Sequence, residues 1–66
     1  VKRYEIRLPC AYSDMLAAAF PEMDALAVAP AATLLVGVLK DQTELHSVLE
    51  RIAEMGLEIT EVRQEP

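Results

Sequence analysis

An α+β sandwich, with two helices on one face of a four-stranded antiparallel sheet, is the fold class that the sequence predicts. Three observations lead to it. Strand-like patterns open and close the chain; two helical patterns, each with a capping residue before it and a breaker after it, fall between strands; and Thr33–Leu39 is apolar almost throughout, as suits a strand with neighbours on both sides. The elements run β-α-β-β-α-β through a single domain, 1–66.

Tyr4, Ile6 and Leu8 alternate with Arg3, Glu5 and Arg7, the period of two of a half-buried strand, and Pro9 ends it. Ser13 stands where an N-cap belongs, with Asp14 in the first turn. Met15, Leu16, Ala19 and Phe20 follow at helical spacing, which predicts a short helix over 14–20 closed by Pro21. Ala25–Ala29 alternates large with small, and Pro30 behind it, unable to donate to a ladder, assigns this second strand to an edge. Thr33–Leu39 is placed centrally. Asp41 precedes Glu44 by three residues in capping-box fashion, and Leu45, Val48, Leu49, Ile52 and Met55 then form one apolar stripe opposite Ser47, Glu50 and Glu54. Gly56 is the expected C′ residue. The last strand is expected over 57–64; Leu57 and Ile59 share one phase and Val62 takes the other, so a bulge near Thr60 is expected to reconcile them.

This order, in halves of about 30 residues, is the split βαβ or ferredoxin-like arrangement, with the first and third strands central and the second and fourth at the edges. Both helices cover one face and nothing covers the other. Taking the opposite phase of each strand, the open face is expected to show Arg3, Glu5 and Arg7, then Ala25, Ala27 and Ala29, then Thr33, Leu35, Gly37 and Leu39. Leu35 and Leu39 beside a flat strip that includes Gly37 and Ala27 make an apolar patch of the kind that marks an interaction site, with Arg3 and Arg7 supplying charge next to it. The plainer alternative is a patch that water tolerates. A chain of 66 residues buries only about 60% of its unfolded surface and is marginal on its own. A single cysteine excludes an intrachain disulfide, so a partner subunit is expected, in the first instance as a homodimer.

A net charge of −5 repels phosphate backbones and acidic membrane surfaces, so neither nucleic acid nor membrane is an expected partner. No apolar run approaches the roughly 18 residues of a span, and a cytoplasmic location is expected. The expected open-face positions of the central strands carry none of the aromatics with which RNA-recognition domains of this topology stack bases. Cys10 and His46 have no second Cys or His to build a metal site with, and neither metal nor cofactor is expected. Cys10 reads as a small, partly buried residue, and His46 with Glu50 as a helix-border pair. No catalytic residues are assigned.

The run Gly37-Val38-Leu39-Lys40-Asp41-Gln42-Thr43-Glu44-Leu45-His46, continued by Leu49-Glu50-Arg51-Ile52, Gly56-Leu57-Glu58-Ile59 and Val62-Arg63, resembles small stand-alone bacterial proteins of unassigned function. Their C-terminal half reads G-x-[LV]-x-D-Q-x-x-L-H, then a leucine-rich helix, Gly-Leu and a closing strand. The resemblance implies a small intracellular ferredoxin-like protein and supplies no catalytic residues. At fold level the order is also similar to regulatory ACT domains, which bind amino acids at subunit interfaces; here Pro9-Cys10-Ala11-Tyr12 replaces their glycine-bearing first loop. The expected function is a non-catalytic, homo-oligomeric protein-interaction or regulatory module using the open sheet face. A second reading is an ACT-like sensor that binds a small anionic effector between subunits through Arg3 and Arg7. A third is a dimeric α+β-barrel isomerase or cyclase with its substrate near Tyr4, Tyr12 and His46.

Overall fold

The computed structural model describes residues 2–65, and its elements follow the predicted order: β1 (Lys2–Leu8), α1 (Asp14–Ala19), β2 (Asp24–Ala29), β3 (Ala32–Leu39), α2 (Gln42–Glu54) and β4 (Glu61–Glu65). The sheet is antiparallel in the order β2-β3-β1-β4, which is the ferredoxin-like arrangement with β1 and β3 central.

Both helices begin where a short polar side chain can take a free backbone donor. Ser13 Oγ accepts the Leu16 N–H at 3.1 Å, and Asp41 Oδ1 accepts the Glu44 N–H at 3.0 Å. Helix α2 ends in a Schellman motif: Gly56, at φ 75°, donates to the Ala53 carbonyl and Leu57 to the Ile52 carbonyl. Only glycine reaches that φ without strain, so the predicted C′ role of Gly56 follows from its backbone.

Tyr4, Ile6 and Leu8 of β1 and Leu35 and Leu39 of β3 pack against Leu16 and Phe20 from the α1 side and Val48 and Ile52 from α2. Arg51 ties the helices together. Its guanidinium lies 5.1 Å from the centre of the Phe20 ring, donates to the Ala19 carbonyl at 3.0 Å and pairs with Glu22. That pairing holds the Glu22 carboxyl below the usual carboxylate range. A carboxylate depressed in this way adds stability above its unfolded value and loses it as pH falls through its folded value. Glu22→Gln should therefore lower the melting temperature at neutral pH and leave it unchanged in strong acid. With both partners about a third exposed, the neutral-pH loss should stay near or below 1 kcal/mol. Equal losses at both pH values would refute the linkage.

Two expectations are corrected. Strand β4 spans only Glu61–Glu65, without a bulge at Thr60: Leu57 completes the cap of α2, and Thr60 joins the sheet through a single bond from its N–H to the Arg7 carbonyl at 2.9 Å. The one register shift lies instead between Ala27 and Ala29 on β2. The second correction concerns the phase of β3. Leu35 pairs with Ile6, Gly37 with Tyr4 and Leu39 with Lys2, which puts all three on the helix side, where Leu35 and Leu39 are fully buried. Ala27, opposite Thr33, and Ala25, opposite Leu35, share that side. The physical cause is visible at Gly37: a Cβ there would lie 3.1 Å from the Glu22 carbonyl oxygen and 3.0 Å from Met23 Cγ, so the segment entering β2 crosses directly over it.

Candidate interaction face

Since cross-strand partners share a face, the register gives the composition of the uncovered side directly. One row holds Val38, Arg3 and Glu65; the next Asp24, Val36, Glu5 and Arg63; the third Leu26, Leu34, Arg7 and Glu61. Arg3 and Arg7 therefore lie on the open face as expected, whereas its apolar part is built from Leu34, Val36 and Val38 rather than from Leu35, Gly37 and Leu39. Val38 is 54% exposed and Leu26 48%, while Val36, between Asp24 and Glu5, is 6% exposed. Val28, at the β2 irregularity, is also exposed.

The face divides into two halves. The β2–β3 half is apolar apart from Asp24. The β1–β4 half alternates in sign along and across the strands: Arg3, Glu5, Arg7 against Glu65, Arg63, Glu61. Arg3 Nε stands 3.2 Å from Glu65 and Arg63 Nε 3.7 Å from Glu61. The Glu65 carboxyl, diagonal to Glu5 across the β1–β4 pair, together with partial desolvation, pushes Glu5 above the usual carboxylate range against the pull of Arg63 and Arg3.

The residues considered for catalysis are dispersed in environment. Tyr4 is buried on the helix side with its hydroxyl donating to Gln64 Oε1 at 3.4 Å, while Tyr12 and His46 are exposed on the loop before α1 and on α2. A small apolar cleft of about 230 Å³ opens between the start of α1 and the end of α2, lined by Cys10, Ser13, Met15, Leu16, Met55 and Leu57. None of the three residues considered for catalysis lines it. The Ser13 oxygen there already accepts from the helix and the Cys10 carbonyl accepts from the buried Thr33 hydroxyl at 2.8 Å, while the Cys10 thiol forms no disulfide. Among the described residues no three metal-ligating side chains gather, and no helix is long and apolar enough to cross a membrane.

Sequence reasoning missed the apolar half of the face because Thr33–Leu39 is apolar in both phases. The signal that could have found it is Gly37, the one position of that run where another backbone must approach closely. Compared with known proteins, residues 3–63 match the family model described as Domain of unknown function (DUF8691). No curated protein and no solved structure matches the chain.

Proposed function

The chain belongs to this family, and we propose that it is a non-catalytic protein-interaction or regulatory module that works by covering its open sheet face with another protein surface. The observation that carries this reading is that Leu26, Leu34 and Val38 stay accessible around the nearly buried Val36 on a face that no helix of the chain covers. Single exposed apolar side chains are ordinary, but a contiguous apolar half-sheet gains about 25 cal/mol for every Å² removed from water. A standard interface removes about 800 Å² per partner, close to a fifth of the 4274 Å² that the chain exposes. The sensor reading has less support, because of its two anion-binding arginines, Arg3 and Arg7, the first is already engaged by Glu65 and only the second is left without an ion pair among the described residues.

A photo-cross-linking side chain in place of Val38 should form a covalent adduct with a protein in the cell, and the same side chain at Glu50, exposed on α2, should form none. Equal labelling from both positions, or none from Val38, overturns the reading.

A further inference from the structure

The open face differs from the rest of the molecule in charge as well as in polarity. The chain carries −5, yet the three arginines and three glutamates of the β1–β4 half cancel, so the whole of that charge arises from residues outside it. Asp24, at the β2 edge, is the one further charge in the three rows. Two copies of so acidic a chain repel each other through their other surfaces and meet least opposition here. The same half also has two charges left over. Arg3 and Arg63 are paired within the chain, whereas Glu5 and Arg7, two residues apart on β1, take part in none of the ion pairs among the described residues. Glu5 lies opposite Arg63 and diagonal to Glu65, and a cation set over it from another molecule would offset the Glu65 charge.

Building on the open-face reading, we propose that the covering surface is a second copy of the chain, related by a two-fold axis that crosses the strands between Glu5 and Arg7, so that each copy's Glu5 meets the other's Arg7. Rotation about such an axis keeps every strand over its own counterpart and reverses its direction. Along β3 the apolar strip then lies on itself, with Val36 on the other copy's Leu34; Arg63 falls on the other copy's Glu61, and at the β2 edge Asp24 falls on the other copy's Leu26, where water can still reach it. An axis between Arg3 and Glu5 would alternate charges as well but calls on Arg3, which Glu65 already engages, and two further placements are worse. An axis through the row of Glu5 sets Glu5 on Glu5 and Arg3 on Arg7, and an axis along β3 lays apolar β2 over charged β1.

The arrangement makes a pairing rule that can be tested by mixing. Glu5→Arg alone sets arginine against Arg7, and Arg7→Glu alone sets glutamate against Glu5, so each variant should self-associate about tenfold or more weakly than wild type. In an equimolar mixture both contacts become attractive, and a heterodimer should form with nearly wild-type affinity, read by sedimentation and native mass spectrometry. If a reversal unfolds the chain, Glu5→Gln mixed with Arg7→Gln replaces it: the mixed dimer regains one of the two pairs and should bind more tightly than either variant with itself. A wild type that dimerises while neither mixture gains affinity overturns the two-fold and its register, leaving the open-face reading in place. A wild type that stays monomeric at high micromolar concentration overturns the second-copy proposal, and the Val38 adduct then decides separately whether the face serves another protein.

Discussion

Leu35→Ala should remove about 2–5 kcal/mol of folding stability, whereas Leu34→Ala, one residue away, should cost well under half as much. Leu35 is fully buried between Ile6 and the helices, and Leu34 is half-buried on the open face. Truncating a core leucine forfeits its transfer free energy and leaves a cavity that close-packed neighbours fill only in part. The size of this loss relative to the whole is what makes it large here. At the usual 0.05–0.15 kcal/mol per residue, 66 residues hold about 3–10 kcal/mol in total, so the alanine variant should lose a large share of its stability and, at the low end of that range, unfold at room temperature. Urea denaturation of the two variants and wild type at equal subunit concentration measures the contrast. Similar losses at positions 34 and 35 would mean that the phase of β3 is not the one described.

Val38→Arg should do the reverse, leaving the subunit intact while weakening its association about 100-fold or more. The side chain is 54% exposed in the single chain, so a guanidinium there stays in water and the subunit's stability should move by no more than about 0.5 kcal/mol. In a covered face the same group would sit among apolar side chains with no carboxylate assigned to it, and an uncompensated charge at an interface is among the costliest single changes. Sedimentation across a dilution series, with circular dichroism to show that the fold survives, separates the two effects. Unchanged association would place the contact surface elsewhere.

These two variants mark the boundary between what could be read from the sequence and what could not. The phase of β1 was legible because charges alternate with apolar residues, and either end of α2 was legible because Asp41 and Gly56 have few other uses at those positions. The charged half of the site followed from β1 for the same reason. The apolar half did not, since leucine or valine occupies both phases of Thr33–Leu39, and apart from Gly37 it is the pairing of Ile6 with Leu35 that tells which phase is buried. Strand β4 was read too long because the apolar character of Leu57 belongs to the end of α2, not to a sheet: a residue that closes a helix and a residue that opens a strand look alike when only hydrophobicity is counted.

The central position of β1 also bears on how the protein is made. Of the four strands β1 is synthesised before its two neighbours, β3 and β4, and its pairing of Arg3 with Glu65 spans almost the whole of the described chain. No intermediate length offers β1 both of its hydrogen-bonding edges. Until β4 emerges, a strand with Tyr4, Ile6 and Leu8 on one side has an open edge toward its crowded surroundings, the condition in which nascent chains are captured by chaperones or by one another. Placing Arg3, Glu5 and Arg7 on its other side keeps that waiting strand charged, and so discourages premature pairing before the chain can complete its own sheet.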